Sequence, residues 1–158
     1  MEVPMWRWSY LVALSMGCTG NETDLCRANG EPSLSLGRLE EGFVPFSEGE
    51  TVELEYGLQG GQHIPVTVWA AHLKHPRTVR VSVDGSADAA PVLRFSTLMS
   101  FQCEDPSVGL IAPYQTFFVD DPSLVHDKDV LVRVEVVDPD QSASVEQLLH
   151  VVDPGNGG

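Results

Sequence analysis

Positive charge is the scarcest commodity in this chain. Nine Lys and Arg stand against 23 Asp and Glu, a net charge of −14. Such a surface is repelled by phosphate backbones and anionic headgroups, so nucleic acid drops out of the expected partners. The ordinary role of this charge is solubility; weak calcium binding or the steering of a cationic partner is the sharper alternative. Long apolar runs are missing too: no segment approaches the ~20 apolar residues that a spanning helix needs. Catalytic signatures are sparse. There is no Gly-x-Ser-x-Gly elbow and no phosphate-binding loop, and no cofactor is expected. Cysteine is limited to Cys18, Cys26 and Cys103. At 158 residues the chain can bury roughly 70% of its unfolded surface, so its core does not depend on metals or many disulfides.

The first residues read as an address. Arg7 supplies a short positive region, with Met5 as an alternative start. Trp8, Tyr10, Leu11, Val12, Ala13 and Leu14 form an apolar run, and Ser15-Met16-Gly17-Cys18 ends it. This predicts a signal peptide over 1–17. The segment resembles a bacterial lipobox, in which a cysteine follows the cleavage site and is acylated. Gly17 and Cys18 carry the match, while Leu14 lies one position earlier than that pattern places it. The resemblance implies lipidation at Cys18 and anchoring to the membrane of the cell envelope. Multiple acylation is what stable anchoring requires, because each buried CH₂ contributes only about 0.8 kcal/mol. Cleavage after Gly17 by an ordinary signal peptidase is the other outcome these small residues permit.

An odd cysteine count in an exported protein leaves one thiol to explain. With Cys18 lipidated, Cys26 and Cys103 remain as a disulfide pair favoured by an oxidising compartment; two unpaired buried thiols are the alternative. Residues 18–32 then form the lipidated N-terminus and a polar tether, 33–153 a folded domain, and 154–158 a flexible tail. Asn21-Glu22-Thr23 fits the glycosylation pattern, but so short a match behind a bacterial address is noise.

Within 33–153, period-two alternation dominates. Val52, Leu54 and Tyr56 share a face, as do Ile64, Val66, Val68 and Ala70. Val79, Val81 and Val83 form another set, then Leu93, Phe95 and Thr97, and finally Val130, Val132, Val134 and Val136. Gln115 to Val119 is a short aromatic run. Val145 to Val152 ends the series, with a Glu146–Leu149 centre that also suits a short helix. Turn residues separate the runs at Glu48-Gly49-Glu50, Gly60-Gly61, Asp84-Gly85, Asp120-Asp121-Pro122 and Asp138-Pro139-Asp140. Short half-buried strands at this spacing predict an all-β domain: a single antiparallel β-sandwich, immunoglobulin-like in pattern. Trp69 falls on the face opposite Val66 and Val68, so either that strand is buried on both sides or Trp69 is partly exposed.

Gly57-Leu58-Gln59-Gly60-Gly61-Gln62-His63 joins two of these runs, preceded by Phe43-Val44-Pro45-Phe46 and the Gly49-Glu50 turn. From Leu36 to Val83 this is similar to a stretch found in uncharacterised lipoproteins of soil-dwelling Gram-negative bacteria. Their Gly-x-Gln-Gly-Gly-x-His turn usually carries Pro where Leu58 stands here. The resemblance implies a lipoprotein and a sandwich; that family carries no assigned activity. Physically, Gln59 and His63 can bond the turn backbone as a polar brace, and Gly60 and Gly61 permit a tight turn. Contact with a ligand through Gln59 and His63 is the functional alternative, but a Gly-rich turn alone has no catalytic geometry.

Other candidates are weaker. His72 and His75 lack a companion carboxylate, and His126 and His150 stand alone, so no metal site is expected. Asp120, Asp121, Asp127 and Asp129 cluster without an EF-hand pattern and with Lys128 among them. Three functions follow. A non-catalytic, lipid-anchored envelope protein with a binding or scaffolding sandwich leads, with Trp69 or Tyr114 as exposed aromatics for an unidentified partner. A sandwich hydrolase would need His63 within reach of Ser96 or Ser100. A calcium-dependent adhesion module would use the aspartate loop.

Overall fold

A computed structural model describes residues 30–57, 61–74, 79–105, 109–112, 116–119 and 121–156. Among them there is no α-helix. The strands are β1 (Ser33–Leu39), β2 (Phe43–Pro45), β3 (Glu50–Glu53), β4 (Glu55–Tyr56), β5 (Gln62–Pro65), β6 (Thr67–Ala71), β7 (Val79–Ala87), β8 (Ala90–Met99), β9 (Gln102–Asp105), β10 (Gly109–Ala112), β11 (Thr116–Val119), β12 (Lys128–Asp138) and β13 (Gln141–Val152). They form a five-stranded sheet ordered β2-β1-β6-β10-β9, a second ordered β3-β13-β12-β7-β8, and a three-stranded sheet β11-β5-β4.

The frame is the second sheet, and its alternation is the cleanest in the chain. Val130, Val132, Val134 and Val136 of β12 are fully buried, while Leu131, Arg133 and Glu135 point to solvent. β-Branched residues at period two suit a pleated, half-buried surface. Val79, Val81 and Val83 of β7 lie beside them on the same face. They join Leu36, Val68 and Ala70 of the first sheet and Ile64 and Phe117 of the third in one hydrophobic core. Phe117 packs against Phe95 at 5.7 Å between ring centroids. The helical alternative for Val145–Val152 is excluded: β13 runs antiparallel to β12 from Gln141 to Val151.

Three expectations are corrected. Asp84-Gly85 is not a turn. Gly85 lies within β7, where a Cβ would stand 2.6 Å from Leu93 Cγ, and the register with β8 shifts there. A strand glycine at a close approach or bulge follows the usual pattern. The turn comes later, at Asp88-Ala89, both at positive φ between the paired Ala87 and Ala90. Second, the pairing is not purely antiparallel, because β3 runs parallel to β13. A long chain path separates the two, which is what a parallel pair requires. Third, Tyr56 does not share the burial of Val52 and Leu54; it is 50% exposed, because β3 ends before it and β4 belongs to another sheet. The strands β1, β2, β9 and β10 were not among the expected runs, although Leu34 and Leu36 alternate with Ser33 and Ser35 in β1 and are buried.

Two further turns are fixed by side chains. Asp138 is buried and its Oδ1 accepts the N–H groups of Asp140 (2.8 Å) and Gln141 (3.2 Å), closing the β12–β13 hairpin over Pro139. Within the segment expected as a tail, Pro154–Asn156 forms one 3₁₀ turn. Trp69 is half-buried and stacks on Phe43, ring centroids 6.1 Å apart.

Candidate functional site

Strands β4 and β5 pair as a hairpin: Glu55 pairs with His63 and Tyr56 with Gln62, and Gly57 N–H donates to the Gly61 carbonyl at 2.8 Å. His63 Nε2 lies 3.3 Å from Glu55 Oε2. Its ring therefore reaches a carboxylate on the neighbouring strand. Gly61 and His63 are described; Gln59 and Gly60 lie outside the described residues, as do Cys18 and Cys26. Cys103 stands on β9, its backbone paired with Leu110 of β10, and its side chain lies outside what is described.

Above this hairpin the two arms part. The first arm leaves the small sheet at Leu54 and continues as β3 in the second sheet; the other leaves at Val66 and continues as β6 in the first sheet. Leu54 and Val66 are buried at these switch points. Strand-switching of this kind makes corners between packed sheets. Here the divergence opens a cleft of about 650 Å³, lined by Glu50 to Glu55 on one side, Pro65 to Thr67 on the other, and Arg38, Leu39 and Phe46.

Charge at the cleft is one-sided. Arg38 is the sole lysine or arginine in the lining, set against Glu50, Glu53 and Glu55. It bonds Glu40 at 2.6 Å and also Glu50, tying the first sheet to the second. Glu40 and then Glu50 hold the guanidinium above its ordinary value. Glu50 also accepts the Ser47 N–H at 2.8 Å. That bond, followed by Arg38, holds its carboxyl below the ordinary 4.5.

Next to the hairpin, Tyr56 donates its hydroxyl to Asp153 Oδ1, which also accepts the Gly155 N–H at 2.9 Å. The Tyr56 bond is the main cause that lowers Asp153, and the same contact raises Tyr56. Asp153 N–H in turn donates to His126 Nδ1 at 3.0 Å. This network pins the end of β13 to the hairpin.

The remaining candidates are dispersed. Asp121 caps the 3₁₀ turn Pro122–Leu124 through Ser123. Asp127 and Asp129 instead flank His150, at 3.4 and 3.0 Å. Asp120 lies outside the described residues. The aspartate loop is thus divided between a cap and a histidine, and among the described residues no three His, Cys, Asp or Glu side chains are placed to hold a metal. Ser96 receives the Ser82 hydroxyl at 3.1 Å on an exposed sheet face, while His63 engages Glu55; these contacts do not assemble a nucleophile and base. Ser100 is exposed. Gln141 bonds the His72 carbonyl at 3.0 Å; His75 and Tyr114 lie outside the described residues. Sequence reading missed the cleft altogether. Its one local trace is that the burial of the two alternating runs continues through Leu54 and Val66 while their pairing partners change.

No protein-family model and no curated protein matches this chain. Among solved structures, the CooA pilin subunit from enterotoxigenic Escherichia coli superposes with a TM-score of 0.38 at 14% identity, covering 77% of this chain and 99% of that one.

Proposed function

We propose that this chain is an exported envelope lipoprotein, anchored through acylated Cys18, whose immunoglobulin-like sandwich binds or scaffolds and does not catalyse. The observation that carries the binding half is the cleft between the parted hairpin arms. It offers a strand edge, an apolar floor and carboxylates, which are groups that hold a ligand. The anchoring half rests on Arg7, the apolar run to Leu14 and the Gly17-Cys18 junction, and places the domain on the periplasmic face or surface of the outer membrane. A Cys26–Cys103 disulfide completes this reading.

The test is the intact mass of protein purified from the membrane fraction, before and after reduction. The expected species starts at Cys18, carries added acyl mass and gains two hydrogens on reduction. An unacylated species starting elsewhere overturns the anchor.

A further inference from the structure

The edge of β3 is where the cleft has something to offer. Among the described strands β3 pairs with β13 alone. Leu54 N–H donates to the Val152 carbonyl at 2.8 Å. In a parallel ladder alternate residues serve one neighbour, so Val52 and Leu54 spend their backbone groups on β13. Thr51 and Glu53 therefore present N–H and C=O to the other side, into the cleft. Both side chains are exposed, while Val52 is buried.

An open strand edge is a template for another strand, and natural edges are guarded against wrong pairing, often with charge. Here the guards are carboxylates: Glu50, Glu53 and Glu55 rim the cleft, and Arg38 is already committed to Glu40 and Glu50. With a net charge of −14 on each chain, a second copy is repelled. A segment with cations at alternate positions is attracted. The volume, about 650 Å³, is within the range of small-ligand and short-peptide sites. Half-buried Phe46 supplies an apolar contact on the floor.

We infer that the cleft is a docking groove for an extended basic peptide segment of a partner protein, which adds a strand to the outer edge of β3 through the backbone of Thr51 and Glu53. This deepens the binding reading above and rests on it. Main-chain bonds supply affinity in strand addition, and alternate side chains supply specificity. The cationic side chains would meet Glu53 and Glu55 while the intervening apolar ones cover Phe46. With only two outward residues, the complex is weak and salt-sensitive.

The test uses the full chain and an acetylated, amidated eight-residue Lys-Val repeat, followed by fluorescence anisotropy and by amide hydrogen exchange. Saturable binding is expected, with exchange at Thr51 and Glu53 slowed roughly 10-fold or more. An analogue N-methylated at alternate residues should bind at least about 10-fold more weakly, since it loses donors while keeping its charge. Glu53→Gln should weaken the parent peptide without lowering the melting temperature, as that side chain is exposed. Equal binding of the N-methylated peptide, or unchanged exchange at β3, would mean adsorption to an acidic surface and overturns the inference. So does the absence of binding, or protection of β3 that grows with protein concentration alone, which would make a second copy the occupant. A lipid-anchored chain that fails to bind removes the groove and keeps the anchor; an unacylated chain that binds does the reverse.

Discussion

Replacing Gly37 by Ala should destabilise this domain, although chain entropy alone argues for the opposite. A Gly→Ala change at an unstrained site stabilises by about 0.4–1 kcal/mol, because the unfolded chain loses freedom. At Gly37 there is no room to collect that gain. A Cβ would stand 2.2 Å from the Val44 carbonyl oxygen and 2.9 Å from the Phe43 ring. The first obstacle is backbone, on the partner strand β2. The second is a ring held in its stack on Trp69. Overpacking of this kind costs about 1–3 kcal/mol, so a net loss of roughly 1–2 kcal/mol is expected. At ~2–4 °C per kcal/mol for a chain of this size, the melting temperature should fall by several degrees. Thermal unfolding of G37A followed by circular dichroism measures it. Adding Phe43→Leu should recover only part of the loss, since the carbonyl stays in place. A melting temperature equal to or above that of the parent would refute the close β1–β2 approach and the reasoning built on it.

At the β7–β8 turn the sign reverses. Ala89 holds a φ of 63°, which costs a residue with a Cβ roughly 1 kcal/mol or more, so Ala89→Gly should stabilise by about 0.5 kcal/mol after the entropy of glycine is subtracted; a lowered urea midpoint would count against the turn. Asp138→Ala removes the acceptor for two backbone N–H groups and should cost about 1–2 kcal/mol by denaturant titration, with Asp138→Asn recovering much of it. Acid should unfold the domain through its depressed carboxylates, Glu50, Asp121 and Asp153. Their folded-state values lie below the unfolded ones, so their contribution is whole above the ordinary carboxylate range and fades as pH falls through the lowered values. Melting temperatures of Glu50→Gln should therefore decline less steeply on acidification than those of the parent; identical slopes would remove Glu50 from the account. Tyr56 works in the other direction: raised above its ordinary 10.0, it gives its full share below that pH and loses it under stronger alkali.

How much was legible in advance depended on whether a signal was local. The β12 valines and the Ile64–Ala70 run declared themselves by alternation, because burial on one face of a strand is written at period two. Asp138-Pro139-Asp140 declared its turn through a short side chain able to cap its own backbone. The Asp84-Gly85 expectation failed because a glycine has two uses: it turns a chain, or it makes way for a neighbour. Which applies depends on Leu93, eight residues away on the facing strand.

An all-β domain with a strongly acidic surface follows from the order of residues alone, because alternation and charge are properties of neighbouring residues. That order could not place the cleft. Leu54 and Val66 look like any other buried positions in their runs, and only pairing with distant strands sends one arm to β13 and the other to β1 and β10. The β3 edge, the crossing from Arg38 to Glu50, and the separation of Asp121 from Asp127 and Asp129 were likewise decided by tertiary structure. Each depends on which segments the closing core brings side by side, and hydrogen-bond partners remote in the chain leave no periodic trace in it.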